Sequence, residues 1–383
     1  MKVSATKPTP RVERNQYLTG KRIKGYGDGN DYPQKVLEII GSSGTGKTCL
    51  DIYVKFVRGS GFIDSALNDE VINVDGERIS SILKKNAKDL STFNGFATLI
   101  KYDYKGMAYA YYNIPFEQCR IEINGEKNYT GRIGVHPDWT GITGKRFRND
   151  DVVWLNRFAP ENVPQEIIED GGPELYSGQI FYYTADGDFE YPICPFDPVV
   201  TDMLTEDSVS TVKHRNAKNN FLPSGMIVRK GIKPKTLPDG TIDPNDPYNQ
   251  EQIASANWIT KAQGDMNTAK LWVIDIDSDE EMPEFVDFTP KNYDRQYELT
   301  EKTIKQNIGE MFKMPPVLRG VDVGTGFGAE LISNAYSYMN SVTGDERDDL
   351  ETAFMDMFIP YTKQFSNFKI QPRIYIATET PTI

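Results

Sequence analysis

Residues 36–53 read VLEIIGSSGTGKTCLDIY, and inside this stretch Gly41 to Thr48 fit G-x-x-x-x-G-K-[ST] at every position. Two folds follow from two readings of it. If VLEII is a strand, the glycines open a helix, backbone N–H groups cradle phosphate, Lys47 reaches the β/γ oxygens and Thr48 holds Mg²⁺. Asp275, at the end of LWVID, would then be the acidic partner. If VLEII is a helix, Gly41 to Gly46 is a link in which glycine ends one helix and frees the chain to turn. The flanks favour the helix. Asp31-Tyr32-Pro33 is a helix start with proline in the first turn, and Val36, Leu37 and Ile40 follow at helical spacing. Beyond the glycines Cys49, Tyr53 and Phe56 share one face, as do Leu50 and Val57, up to Arg58-Gly59-Ser60-Gly61. A P-loop domain also needs strands and helices in alternation. Asp275 lies more than 200 residues on, across several hairpins. The expectation is helix, link, helix, with no cofactor; nucleotide binding through Lys47 and Thr48 is the alternative.

The chain has 383 residues, enough for two or three domains, with 38% hydrophobic residues and a net charge of −12. That balance argues against a sequence-reading DNA binder, which needs many Lys and Arg against phosphate, but allows a channel through which DNA slides. Cys49, Cys119 and Cys194 are widely spaced and read as buried free thiols. With His136 and His214 as its two histidines, the sequence offers neither a zinc site nor a histidine-based triad. No signal peptide or long apolar run appears, so a soluble intracellular protein is expected.

Working outward, residues 1–30 read as a flexible arm and residues 70–90 suggest a further helix. From there to about 195 the pattern is antiparallel strands joined by tight turns. FATLIKYDY and MAYAYYNI flank Lys105-Gly106; CRIEI runs into Asn124-Gly125; DVVWLNRF is strand-like; GQIFYYT and DFEYPIC flank Ala185-Asp186-Gly187. Residues 198–221 form a helix with a thin apolar line (Val199, Met203, Val209, Val212) and solvated on most of its surface. Residues 224–290 mix strands (GMIVRKG, LWVIDI) with a Pro/Asp/Asn-rich loop and a short helix near 249–257. Tyr293, Tyr297, Ile304, Ile308 and Met311 mark a helix over 292–313, stopped by Pro315-Pro316. A glycine-bearing loop, 317–328, leads to a long helix with Leu331, Ala335, Met339, Val342, Leu350, Phe354 and Met357 on one stripe, bent or broken at Gly344.

Other candidate sites are weaker. Asp275, Asp277 and Asp279 resemble an EF-hand start, but Glu280 stands where glycine is needed and Val286 where the closing Glu is needed. A solvated acidic loop is the reading preferred. Gly320 to Gly328 before a helix could hold an anion, and the basic run Arg229, Lys230, Lys233, Lys235 could touch phosphate or an acidic partner.

Three stretches, in order, resemble the portal proteins of tailed bacteriophages. They are NDYPQKVLEII with CLDIYVKFVRGSGF, then FNGFATLIKYDYKGMAYAYYNIPFEQCRI, then IKQNIGEMFKMPPVLRGVDVGTGF with AELISNAYSYMNSVTGDERDDLETAF. The resemblance spans about 30–360 and implies an α+β, portal-like wedge. Its parts would be an arm (1–30), a wing of antiparallel strands and helices (31–196), a first stem helix (197–223), a small α/β clip (224–291), a second stem helix (292–314), a tunnel loop (315–328), and a long wing helix with a minimal crown (329–383). It implies a structural protein and not an enzyme: a closed ring of about twelve copies at one capsid vertex of the virion, assembled in the host bacterial cytoplasm. Its implied partners are the major capsid protein, the terminase large subunit, a head–tail adaptor and double-stranded DNA passing without sequence specificity, with no membrane. The tunnel-loop residues implied are Arg319, Val321, Asp322, Val323, Thr325 and Phe327. Stem candidates are Lys213, Arg215, Lys218, Lys302 and Lys305, and the clip would present Arg229, Lys230, Lys233 and Lys235 to partners. The competing readings are a P-loop NTPase of packaging-motor type and a capsid or adaptor protein that is not a portal.

Overall fold

A computed structural model describes residues 17–18, 22–27, 29–124, 128–139, 151–185, 191–219, 226–230, 237–241, 243, 272–276, 293–321, 328–365 and 367–375. The fold is α+β, and the chain divides into two units: Met1–Leu204 with Ile304–Ile383, and Thr205–Thr303.

The larger unit is built on a sheet of eight described strands in the order β1-β2-β5-β6-β7-β8-β3-β4. The strands are β1 (Tyr17–Leu18), β2 (Ile23–Lys24), β3 (Gly95–Tyr102), β4 (Ala108–Ile114), β5 (Cys119–Asn124), β6 (Asn128–Val135), β7 (Val153–Arg157) and β8 (Gln179–Thr184). Strand β3 shows how the sheet is used. Its side chains alternate between faces. Phe96, Ile100 and Tyr102 enter one core and Ala97 enters another, so this strand is buried on both sides. Its neighbour β8 divides the same way, Ile180 and Tyr182 to one core, Phe181 and Tyr183 to the other.

Each core has its own helices. On one face lie α1 (Tyr32–Ser42) and α2 (Gly44–Val57), with Val36, Ile40, Cys49, Leu50 and Phe56 buried against Phe116 and Ile180. On the other lie α3 (Ser65–Asp69), α4 (Ile79–Phe93) and the C-terminal residues Phe368 and Ile370. Helix α4 stops where Asn94 takes a left-handed conformation, φ 61°, which a short polar side chain tolerates and which turns the chain into β3. The β3–β4 turn is set by Asp103, whose carboxylate accepts from the N–H groups of Lys105 (2.8 Å) and Met107 (2.9 Å). The helix expected along residues 329–357 is two: α8 (Ala329–Val342) and α9 (Gly344–Met357) meet at Thr343. Arg347 fixes the joint, donating to the Thr343 hydroxyl (2.6 Å), to the Asn340 carbonyl and to the Phe56 carbonyl (3.1 Å) on α2. All three cysteines are free and buried, and burial pushes the Cys119 and Cys194 thiols up.

Three sequence expectations need correction. The first is the arm at 1–30, whose described part is packed into the larger unit. Strand β2 pairs with β1 and β5, and Ile23, Lys24, Tyr26 and Asn30 are buried. The cause is Arg120 on β5, wholly buried, which donates to the Asn30 side chain (2.5 Å) and backbone (2.9 Å) and lies against the rings of Tyr26 and Trp139. The second is the all-antiparallel reading. Strands β7 and β8 run parallel, joined by the short helix α5 (Val163–Glu169). The third is DFEYPIC, of which Asp188 to Glu190 lie outside the described residues and Tyr191 to Cys194 are not strand. Tyr191 is drawn out of any ladder because its hydroxyl donates to the Lys24 carbonyl (2.5 Å) and accepts from the Ile121 N–H (2.8 Å).

The smaller unit holds β9 (Met226–Lys230) and β10 (Trp272–Ile276), paired in parallel with Asp275 opposite Arg229. Helix α6 (Val200–Asn219) leads into it and α7 (Tyr293–Met311) out of it. The helix expected near 249–257 lies outside the described residues.

Candidate functional site

Two places carried the sequence-level expectations: the Gly41–Thr48 motif, and the run from α6 through the loop before α8. At the motif, α1 ends at Ser42 and α2 starts at Gly44, so Ser43 alone is non-helical, φ −88° and ψ 113°. Ser43 is buried and its hydroxyl accepts from the Gly46 N–H at 2.9 Å, which caps α2 and fills the place where a phosphate oxygen would bind. Lys47 pairs with Asp51 one turn along the exposed face. The Thr48 hydroxyl donates back to the Gly44 carbonyl (2.9 Å). Gly46 packs closely, since a Cβ there would come within 2.9 Å of the Ser43 hydroxyl and 3.0 Å of the end of the Met203 side chain on α6. Asp275 belongs to the two-stranded sheet of the smaller unit. A helix stands where the cradle needs a strand, and the Lys47 and Thr48 side chains are both engaged within α2.

The second place is an anchored turn. Helix α7 ends with Lys313 in a left-handed conformation, φ 50°, and the Met314 N–H returns to the Gly309 carbonyl (2.9 Å). Pro315 and Pro316 then start a short 3₁₀ turn, Pro316–Arg319, closed by Gly320 at φ 75°. Phe312, Met314 and Val317 are buried, and Phe312 stacks on Phe196 at 5.4 Å. Upstream, the Asn307 amide donates to Asp202 (3.2 Å), joining the last turns of α7 to the first turn of α6. Gly328 caps α8. The loop between these ends therefore starts from a buried apolar anchor and finishes at a helix start.

Within that frame Arg319 folds back along α7 and donates to the Lys305 carbonyl at 2.7 Å. Gly309 makes room for it, because a Cβ there would overlap the guanidinium. Val321 is exposed, while Asp322, Val323, Thr325 and Phe327 lie outside the described residues. Of the stem candidates, Lys213 pairs with Glu301, and Lys302 and Lys305 are exposed on α7. Arg215 and Lys218 fall on α6, with side chains outside the described ones. Arg229 and Lys230 fall on β9, likewise described by backbone alone, and Lys233 and Lys235 lie outside the described residues. Arg120 and Arg347, the two buried arginines that hold the larger unit's edges together, were not singled out by sequence reading. No periodicity flags a lone arginine.

No family model matches the chain, and no curated protein does. Solved structures do. A chain of the virion of the native gene transfer agent (GTA) particle is 13% identical over 89% of this chain and 83% of its own, with a TM-score of 0.53. A chain of the neck of the empty GTA particle, computed with C6 symmetry, is 11% identical over 91% of this chain and 85% of its own, TM-score 0.49. An HK97 family phage portal protein from Corynebacterium diphtheriae is 12% identical over 84% of this chain and 87% of its own, TM-score 0.36. The first of these carries an argument, and at such identity the argument is one of fold. The chain has an α+β fold found in a virion particle.

Proposed function

We propose that this chain is a portal protein, one wedge of a ring-shaped channel through which double-stranded DNA enters and leaves a capsid. The observation that carries this reading is the fold match over 89% of the chain to a component of a virion particle. The element order supports it: polar helix α6, a small α/β unit, helix α7, a proline-bounded turn, a loop, then the broken helix α8–α9. On this reading α6 and α7 are stem, β9 and β10 belong to the clip that meets terminase and later a head–tail adaptor, and 315–328 is the tunnel loop. Each copy brings a net charge of −12, so a ring is strongly acidic, and acidic walls repel DNA phosphates and let the duplex slide without register. Arg319, held against α7 by the Lys305 carbonyl, sets where the tunnel loop leaves the stem.

Native mass spectrometry with negative-stain imaging of the purified chain tests the reading. Closed rings with a central hole support it; a compact or open assembly overturns it. Deleting 320–327 should leave ring formation intact while disturbing DNA packaging or retention, and loss of rings in that deletion would refute the loop assignment.

A further inference from the structure

A pocket of about 660 Å³ opens in the larger unit where the end of α2, helix α4 and the C-terminal segment meet. Among the described residues four cations line it, Arg58, Arg78, Lys84 and Arg373, together with serine hydroxyls and glycine backbone, and no Asp or Glu does. That is against the grain of a chain with 55 acidic and 43 basic residues. Like charges gather at a cost unless something of opposite charge visits.

The cations are poorly neutralised. Among the described residues no carboxylate forms an ion pair with Arg58, Lys84 or Arg373; Arg78 has an exposed pair with Asp69 at 2.7 Å. Burial, and then the charge of Arg373 beside it, push the Arg58 guanidinium down from its usual value. Arg373 spends Nε on the Lys55 carbonyl (2.9 Å), which orients its remaining nitrogens. The wall is rigid. Gly59 and Gly61 have φ of 58° and 102°, and a Cβ on Gly59 would overlap the Gln371 carbonyl oxygen. The Ser60 N–H donates to the Gln371 carbonyl and the Gln371 N–H to the Gly61 carbonyl, both at 2.8 Å. Asn68 grips the Phe62 backbone from both sides, accepting at 2.8 Å and donating at 2.7 Å.

We propose that this pocket binds the phosphoryl oxygens of a polyanionic phosphate ligand. Planar guanidinium groups match phosphate bidentately, hydroxyls add further donors, and the volume exceeds what a single small anion fills. The proposal is independent of the ring reading, since every lining residue comes from one unit of one chain.

The test is calorimetric titration of the full chain at low and at physiological salt with three probes: sodium tripolyphosphate, a short DNA duplex and a poly-glutamate peptide. Wild type should bind tripolyphosphate, more weakly at high salt. Arg58→Gln with Lys84→Gln should weaken binding about tenfold or more while leaving the ligand-free melting temperature unchanged. Lys47→Gln, on the other exposed helix face, should change nothing. Duplex binding lost in the same double variant identifies a nucleic-acid backbone as the source; tripolyphosphate binding alone identifies free phosphate. Equal binding by wild type and Lys84→Gln overturns the proposal. That single exchange, at an exposed position on α4 whose side chain has no hydrogen bond among the described residues, keeps the test valid if Arg58→Gln disturbs folding. Preference for poly-glutamate at matched charge also overturns it, in favour of a protein carboxylate.

Discussion

Two glycine-containing segments at the two ends of α2 invite opposite conclusions from sequence and from structure. At its N-terminal end, Gly41 to Thr48 carry a complete phosphate-binding motif, yet Gly41 and Gly44 face open space, Ser43 fills the cap and Lys47 is turned to Asp51. Just past its C-terminal end, Arg58 to Gly61 carry no motif, yet both glycines sit at positive φ, Gly59 against the Gln371 carbonyl and Gly61 against the Asn68 side chain, and the surrounding cations converge. A pattern of residue types is not sufficient for a phosphate cradle, and on the proposed reading of the pocket it is not necessary either. The cradle is made by left-handed or constrained backbone and by charges brought from elsewhere in the chain.

The sharpest way to break this comparison is to exchange the glycines. Gly59→Ala puts a Cβ into the Gln371 carbonyl at a positive φ and should destabilise the protein by about 2–4 kcal/mol. It should also weaken phosphate binding in the pocket. Gly44→Ala, in a helix and in open space, should be neutral or stabilise by about 0.5 kcal/mol. Chemical denaturation of the two variants side by side reads this directly. Similar losses would erase the distinction between a required and an incidental glycine.

Helix α4 carries the contrast further, because it offers Lys84 to the pocket and buries Asp89 on its other side. Burial raises the Asp89 carboxyl to about 7, opposed by a hydrogen bond from the Asn113 amide (3.3 Å) within a network that includes Asn86 and Thr98. The folded protein thus holds a proton that the unfolded chain, at the usual aspartate value, releases. Its contribution to stability is present in full below about pH 4 and is lost as pH rises through about 7. Asp89→Asn should remove that fall, gaining on the order of 4 kcal/mol over wild type at pH 8 relative to the difference at pH 4. Denaturation midpoints at the two pH values decide it; parallel pH profiles for the two proteins would refute the assignment.

How much of this was readable beforehand depends on the range of the interactions. Helices α1 and α2 and the β3–β4 and β5–β6 hairpins rest on local periodicity and turn residues, and they stand where the sequence placed them. The described part of the N-terminal arm looked free because its composition is polar; it is held by Arg120, which comes from β5. The parallel β7–β8 pair was hidden because its crossover helix, α5, has seven residues and Val163 as its buried one, too little to show a period. The pocket was invisible for the same reason: Arg373 reaches the Lys55 carbonyl across 318 positions of sequence. The tunnel-loop and clip candidates belong to the proposed function and rest on the order of soft motifs, not on any one residue.

A smaller effect tests the motif end of α2 by itself. Ser43→Ala removes the hydroxyl that accepts from Gly46 and should cost about 1 kcal/mol in a thermal melt, with no change in phosphate binding at the distant pocket. If Ser43→Ala instead abolished phosphate binding, the cap and the cradle would be one site and the comparison would fail.

The smallest change expected is the most informative about the motif. Lys47 and Asp51 form an exposed pair four residues apart, worth about 0.3 kcal/mol. Lys47 also lies in the first turn of α2, where a positive charge meets the positive end of the helix dipole, so part of that gain is offset. Lys47→Ala should therefore leave the melting temperature within about a degree of wild type. In a phosphate-binding loop the same lysine contacts the β/γ oxygens, and its removal abolishes nucleotide binding. Here, equilibrium binding of a fluorescent ATP analogue should be indistinguishable between wild type and Lys47→Ala. An ATP affinity present in wild type and lost in the variant would mean that α1 gives way to an extended segment when nucleotide arrives. Helical packing of Val36 and Ile40 into the core opposes that change, because both side chains would have to leave buried positions against the sheet.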